Sequence, residues 1–502
     1  MTKLILAIDQ GTTGSSAAFY EADTLRLLSH QKVEFPQIFP TPGWVEHNPE
    51  DIWKSIAAAV ESSWRTLGQT YPTVSKKDIL CIGITNQRET CLAWNRRTGE
   101  TAGNAIVWQD RRTAERCAEL RANRTDVSIQ KQTGLVCDPY FSATKMEWIL
   151  KNNPSAKKWS AGGELCLGTI DSYLVYRMSG RKDFVTEHTN ASRTMLYDLN
   201  IGSWSSQLTD IFEIPVQALA QIKPSSTHFS QTQGLEFLPD GIPITGILGD
   251  QQSALFGQGC TQMGEAKITY GTGAFLVMNT GDKIIPSKSG LLTTVAFGHP
   301  DGKVSFALEG AAFIAGAAVQ YLRDQFGWVS NASDIESLAH KDVRDPNVLF
   351  VPALAGLGAP YWNPHARGAL LGLSRGTSKS QVARAVLESI ALQNAQLLSL
   401  MQTDSSTRIT KVGVDGGASQ NDSLMQFQAN SLQTELMRPK NPETTSRGAA
   451  AAALMGLDPS VNVPRPAEER TFHPELSQEE ANLLNQRWQA AASLIDRFHS
   501  MG

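Results

Sequence analysis

Apolar residues in this chain recur either as short unbroken runs or as stripes at helical spacing. The first run, Leu4 to Ile8 in MTKLILAIDQ, ends at Asp9. It is too short for a signal peptide and lacks a small-residue cleavage site, so it reads as a buried strand. HNPEDIW predicts a helix start. Asn48 caps it, Pro49 suits its first position, and Glu50 and Asp51 complement the positive end of its dipole. The stripe Trp53, Ile56, Val60, Trp64 and Leu67 then marks the face that turns to the core. VARAVLESIALQNAQLL predicts a second helix through Val382, Val386 and Ile390. Strand-like runs alternating with such helices predict an α/β architecture.

Two segments share a plan. LILAIDQGTT and PITGILGDQQSA are both apolar strands followed by Asp-Gln, at Asp9-Gln10 and Asp250-Gln251. A carboxylate at the carboxyl end of a buried strand lies where open α/β sheets place ligands. The expectation is two related halves, residues 1–248 and 249–502, each aiming one carboxylate at a shared cleft. A length of 502 residues suits two domains.

Composition narrows the partners. Hydrophobic residues make up 41% and charged residues 19%, as expected of a globular enzyme, and no segment has a disordered composition. Lys+Arg 45 against Asp+Glu 49 gives a net charge of -4, which offers no electrostatic basis for a nucleic-acid or membrane partner. No stretch approaches a membrane span. The cysteines, Cys81, Cys91, Cys117, Cys137, Cys166 and Cys260, form no CxxC pair or metal-like cluster. They read as reduced thiols of a cytosolic protein. Small molecules are the expected ligands.

Three glycine turns follow strand-like runs. DQGTTGSS offers Gly11 for a tight turn, then backbone N–H groups and hydroxyls with little bulk. TYGTGAF repeats this with Gly271-Thr272-Gly273, and VGVDGGASQND places Asp415-Gly416-Gly417 before a helix opened by Asn421. Each alone is ordinary turn chemistry. Together with Asp9 and Asp250 they suit a nucleotide cleft between two domains. There is no GxxxxGK[ST], so the chain is not a P-loop NTPase.

Longer blocks carry a resemblance. GITNQRET, NAIVWQDRRTAE, TGLVCDPYFSATK, TNASRTMLYDL, GDQQSALFGQG, YGTGAF and VPALAGLGAPYWNPHARGALLGLSRG resemble, in order, the FGGY family of carbohydrate kinases. The resemblance runs from Leu4 to about residue 455. It implies two actin-like (ribonuclease-H-like) ATPase domains flanking a central cleft. Residues 1–248 would hold the polyol site and first phosphate loop, and residues 249–502 the catalytic Asp and the nucleotide site. The implied activity is ATP-dependent phosphorylation of a small polyol, glycerol being the expected substrate, with Mg²⁺ as the metal.

Carried over by matching position, the polyol site comprises Arg88, Glu89, Trp108, Tyr140, Asp250, Gln251 and Phe275. Arg88 offers fixed donors, Glu89 accepts, and the aromatics cover C–H faces. Read without the family, Arg88-Glu89 is an ordinary surface dipeptide, and Trp108 and Phe275 are ordinary core residues. The resemblance makes Asp250 the general base, and Asp9 with Asp250 the metal-holding carboxylates. Thr12, Thr13, Gly14 and Ser16 would meet the terminal phosphates, with Thr272, Gly310, Ile314, Gly417 and Asn421 around the rest of the nucleotide.

Two departures stand out. Members acting on glycerol usually carry Arg at the position of Ser16 and Ser at that of Gly14, so either ATP binds more weakly here or a Lys or Arg elsewhere compensates. Members inhibited by fructose 1,6-bisphosphate carry Arg where this chain has Gly241. A kinase for another small polyol or sugar, or a relative that binds ligand without turnover, also stays open. Family members often form homodimers or homotetramers.

Overall fold

The computed structural model describes residues 2–461 and 463–501. The first half is built on a six-stranded sheet. Its strands are β1 (Leu4–Gln10), β2 (Gly14–Glu21), β3 (Leu27–Glu34), β4 (Ile79–Asn86), β5 (Ser226–Gln231) and β6 (Pro243–Gly249), in the order β5-β6-β4-β1-β2-β3. Helix α1 (Pro49–Thr70) covers one face, against Leu4, Leu6 and Ile8. Ile5 and Ala7 point the other way into a second cluster, so β1 is buried on both faces. That is why its sequence is an unbroken apolar run.

The capping prediction holds for α1: the Asn48 side chain accepts from the Glu50 N–H at 2.9 Å. Ile56, Val60 and Leu67 are buried as expected, while Trp53 and Trp64 sit half-buried at the stripe's edge.

The second half carries a seven-stranded sheet. Its strands are β7 (Glu265–Tyr270), β8 (Ala274–Gly281), β9 (Leu292–Gly298), β10 (Val304–Ala312), β11 (Lys411–Asp415), β12 (Leu436–Pro439) and β13 (Glu468–Phe472), ordered β9-β10-β8-β7-β11-β12-β13. Helix α2 (Asp250–Gly257) leaves the end of β6. Then come α3 (Gly316–Asp324), α4 (Lys379–Ser405), α5 (Asp422–Leu432), α6 (Thr444–Leu457) and α7 (Gln478–His499). Val386 and Ile390 of α4 are buried and Val382 half-buried, and Asn421 caps α5 by accepting from the Leu424 N–H at 2.8 Å.

The internal repeat is real but differs from the one expected. β1 and β6, the two Asp-Gln strands, lie in the same sheet with only β4 between them. β1 pairs antiparallel with β2 and parallel with β4, and β4 pairs parallel with β6. The second sheet repeats this: β7 is antiparallel to β8 and parallel to β11, which is parallel to β12. The counterpart of β1 is therefore β7, and the turn at Gly271–Gly273 corresponds to the turn after Gln10. A shared dipeptide carries no information about which strand pairs with which.

Helix α6 crosses back onto the first sheet. A Cβ on Gly83 of β4 would lie 2.1 Å from the Ala449 carbonyl oxygen, and one on Gly246 of β6 would lie 2.3 Å from the Ala453 nitrogen. On the helix's other side, a Cβ on Gly448 would lie 1.8 Å from the Ser253 carbonyl oxygen of α2. Ala449 to Ala453 are fully buried in this seam. The VPALAGLGAPYWNPHA block packs elsewhere: Val351, Ala353, Leu357 and Ala366 share a cluster with Leu392 of α4 and Trp488 of α7.

Candidate active site

Because β1, β4 and β6 run parallel and adjacent, their carboxyl ends open on one edge of the sheet. Asp9-Gln10 ends β1, Arg88-Glu89 follows β4 by one residue, and Asp250-Gln251 follows β6. Two strand spacings of roughly 4.8 Å put the Asp9 and Asp250 backbones about 10 Å apart. Ligands bind at such an edge in open α/β sheets.

Arg88 and Glu89 are each 2% exposed, so the surface-dipeptide reading fails. Arg88 Nε lies 3.1 Å from Asp250 Oδ1, and its Nη1 donates to Gln252 Oε1 at 3.1 Å. Its Nη2 is 3.5 Å from the Tyr140 hydroxyl. Glu89 is held at φ 59, the left-handed region, which costs a non-glycine residue on the order of 1–3 kcal/mol and concentrates at functional sites. Trp108, Tyr140, Gln251 and Phe275 are half-buried around this pair, with the Trp108 and Tyr140 rings edge to face at 5.5 Å. Phe275 pairs with Ala311 of β10, which places it on the sheet face that Glu309 shares.

The first glycine turn is closed by the Gly11 N–H donating to the Gly14 carbonyl at 2.9 Å. Trp108 Nε1–H donates to Thr12 Oγ1 at 2.9 Å, tying this turn to the side chains around Arg88 and Glu89. Thr13 is exposed; Gly14 and Ser16 are buried in β2, with Ser16 opposite Asp9 on one side and Lys32 on the other. Lys32 Nζ donates to Thr13 Oγ1 at 3.4 Å. A Cβ on Gly14 would sit 2.8 Å from the Val33 carbonyl oxygen and 3.0 Å from Lys32 Cε, so the close approach of β3 requires the glycine. A cation thus reaches the first glycine turn from β3 rather than from position 16.

On the second half, Thr272 and Gly417 are exposed, and the space a Cβ on Gly417 would take is open. The Thr272 carbonyl accepts from the Ala315 and Ala317 N–H groups, fixing the start of α3. Asn421 spends its side chain on the α5 cap. Gly310 and Ile314 lie deeper. A Cβ on Gly310 would face Leu291, Leu397 and Met401, and Ile314 belongs to the same core cluster. Both are buried behind the open turns, Ile314 directly preceding the Ala315 N–H that donates to the Thr272 carbonyl.

Burial, then the charges of Asp250 and Glu443, push the Asp9 carboxyl up to about 7 against the opposing pull of Lys32. A carboxylate so disfavoured by burial, and then by its acidic neighbours, is one that a divalent cation would stabilise, and hard oxygen donors suit Mg²⁺. Among the described residues no group of three or more His, Cys, Asp or Glu side chains is placed to hold a metal. Nucleotide-bound Mg²⁺ needs no such cage, since one or two carboxylates and the phosphates suffice. The Asp9–Asp250 edge therefore fits it.

Three charged residues that sequence reasoning passed over complete the site. Glu309, on β10 of the second half, accepts from Arg88 Nη1 at 2.5 Å and Nη2 at 3.0 Å, and from Arg193 Nη2 at 3.0 Å. Arg193 Nε–H in turn donates to Glu89 Oε1 at 2.6 Å. Burial acts to raise Glu309, but Arg193 and Arg88 overcome it and hold the carboxyl down at about 2. Glu89 has fewer donors, and burial leaves it above its ordinary value. Lys267 on β7, brought down to about 8 by burial, donates to Gln251 Oε1 and, at 2.8 Å, to Thr269 Oγ1.

The N-terminal domain of the FGGY family of carbohydrate kinases matches residues 4–257, and its C-terminal domain matches residues 266–457. The chain belongs to the FGGY family of carbohydrate kinases. A glycerol kinase of Bdellovibrio bacteriovorus is 48% identical over 91% of each chain, and one of Carboxydothermus hydrogenoformans is 46% identical over 98% of each. The crystal structure of Plasmodium falciparum glycerol kinase with ADP superposes at a TM-score of 0.92, with 34% identity over 98% of each chain. A gluconate kinase from Lactobacillus acidophilus, 21% identical with a TM-score of 0.85, shares the fold over 99% of this chain and 98% of its own. The two sheets of this FGGY kinase are the paired actin-like ATPase domains of that fold. Among the described residues none of its helices is long and apolar enough to cross a membrane.

Proposed function

We propose that this FGGY kinase transfers the γ-phosphoryl group of ATP to glycerol, giving sn-glycerol 3-phosphate. The observation that carries the reading is the shared strand edge presenting Arg88, Glu89 and Asp250 side by side. The 44–48% identity to proteins named glycerol kinase supports this polyol over others.

Three adjacent hydroxyls need donors, acceptors and apolar cover together. Arg88 donates, Glu89 accepts, Gln251 and Tyr140 do either, and Trp108 and Phe275 cover the C–H faces. Asp250 takes the proton of the terminal hydroxyl as its oxygen attacks the γ-phosphorus in line. The bond to the bridging oxygen breaks and ADP leaves. Thr12, Thr13, Gly14 and Ser16 face the terminal phosphates, with Lys32 beside them. Thr272, Gly417 and Asn421 meet the remainder of the nucleotide, with Gly310 and Ile314 forming the wall behind. Mg²⁺, held by Asp9 and Asp250 directly or through water, would neutralise phosphate charge. In this reading residues 1–248 carry the polyol site and first phosphate turn, and 249–502 the base and nucleotide site.

The test is a steady-state ADP-release assay with ATP, Mg²⁺ and a panel of polyols and sugars, with the phosphorylated carbon assigned by NMR. Glycerol is expected to give the highest kcat/KM and a terminal phosphate. A higher kcat/KM for another polyol or sugar refutes the substrate. Glycerol binding by calorimetry with no turnover refutes the enzymatic reading.

A further inference from the structure

Arg88, Glu89, Arg193 and Glu309 form one ion-paired group, each 2% exposed or less. Three of the four come from the first half and Glu309 from the second. The group holds two positive and two negative charges and so carries no net charge. Asp250 and Lys267, which face it, add one of each sign. Glu309 engages both arginines, and Arg88 points its Nε at Asp250. Arg193 Nη1 is buried with no hydrogen-bond partner and lies beside the aromatic rings of Tyr140 and Phe141, whose centroids are 5.6 Å and 5.2 Å from Cζ.

A buried arginine lacking its carboxylate attracts any anion small enough to reach it. Glycerol and glycerate differ at one carbon, where a carbinol becomes a carboxylate. Shape alone discriminates poorly between molecules so alike, whereas charge in a desolvated pocket discriminates strongly.

We infer that Glu309 is a specificity-determining residue, which neutralises Arg88 and Arg193 so that the pocket accepts uncharged polyols and refuses carboxylated analogues. It is a positioning residue as well, since its bidentate grip fixes the edge Arg88 presents to Asp250. The inference rests on the polyol-kinase reading above.

The experiment measures inhibition of glycerol phosphorylation by glycerate and by its uncharged isostere glyceramide. In Glu309→Gln the Ki of glycerate relative to that of glyceramide is expected to fall at least tenfold, the glyceramide Ki rising by the same factor as the glycerol KM. The glycerol KM is expected to rise at least tenfold and the ATP KM to stay within threefold. Glu309→Asp, which keeps the charge, should retain the parent glycerate-to-glyceramide ratio. The neutral double variant Arg193→Gln with Glu309→Gln should return that ratio to within threefold of the parent. If Glu309→Gln does not fold, the double variant and Arg193→Gln decide. Arg193→Gln leaves one uncompensated negative charge and must raise the glycerate Ki. An unchanged ratio in Glu309→Gln, equal movement of both inhibitors, or a double variant no closer to the parent than the single overturns the inference. Absence of glycerol turnover in the parent would instead overturn the substrate reading.

Discussion

Replacing Asp250 by Asn removes the proposed proton acceptor with little change of shape, and saturating Mg²⁺ offsets the weaker hold on the metal. Oδ1 of Asp250 lies 3.1 Å from Arg88 Nε and accepts from the Gln251 N–H at 2.7 Å. Among the described residues Oδ2 accepts no hydrogen bond, so it is the oxygen left for a substrate hydroxyl. An asparagine keeps Oδ1 and its two donors and turns Oδ2 into an N–H₂ that cannot take a proton. Arg88 retains its paired bonds to Glu309, and the Asp250 side chain is 32% exposed, so the variant should lose less than about 1 kcal/mol of stability. Loss of a general base costs about 10²–10⁴ in turnover, or roughly 2.7–5.4 kcal/mol of barrier. The assay pairs kcat with the glycerol Kd from calorimetry, and the Kd is expected to stay within about fivefold. Turnover within tenfold of the parent refutes the assignment. A fall in turnover explained wholly by weaker binding refutes it too.

Other outcomes follow from the same coordinates. Lys32→Met should raise the ATP KM about threefold and leave the glycerol KM alone, the modest size reflecting an exposed cation; equal changes in both would remove Lys32 from the phosphate side. His47 is buried, hydrogen-bonded through Nε2 to Gln37 Oε1 at 2.7 Å, and pushed by burial down to about 4. Its unfolded value near 6.5 lies above the folded one, so the unfolded chain binds more protons between those values and stability falls as the pH drops. From pH 7 to pH 5 the stability advantage of the parent over His47→Gln should shrink by about 2 kcal/mol in urea titrations, at roughly 1.4 kcal/mol per pH unit below 6.5; a constant gap rules this out. Comparing with the variant cancels Glu187, which burial raises to about 7 and which contributes the opposite slope. Gly448→Ala should cost about 3 kcal/mol or more, because the new methyl meets a backbone carbonyl that cannot yield. Gly68→Ala in α1, with open space around it, should gain about 0.5–1 kcal/mol; equal shifts in midpoint would refute the seam's rigidity.

Elements with local chemistry were readable from residues alone. Asn48 and Asn421 announced their helices because a cap is a contact between near neighbours, and LILAI announced a strand because both its faces are covered. Arg88 and Glu89 were not readable as buried: nothing beside them in the sequence shows that Glu309, over two hundred residues later, closes the ion pairs. Glu309 itself left a trace, a single carboxylate in the run FALEGAA, and Arg193 stands in the block TNASRTM. An isolated charge in such a setting signals a buried partner without saying which one. The Asp-Gln repeat misled because strand order depends on pairings between distant segments. The place of Lys32 beside the first glycine turn was equally hidden, since it arrives there only through the β2–β3 register.

The alanine helix laid in glycine furrows also bears on how this protein comes to be made. Residues 444–457 leave the ribosome long after strands β4 and β6, so one side of the early sheet must wait, its bare backbone lying open, for a segment some two hundred residues downstream. A fragment ending near residue 248 would keep that side uncovered permanently. Nascent chains stalled at that length should be captured by holdase chaperones, with release coinciding with emergence of the alanine segment.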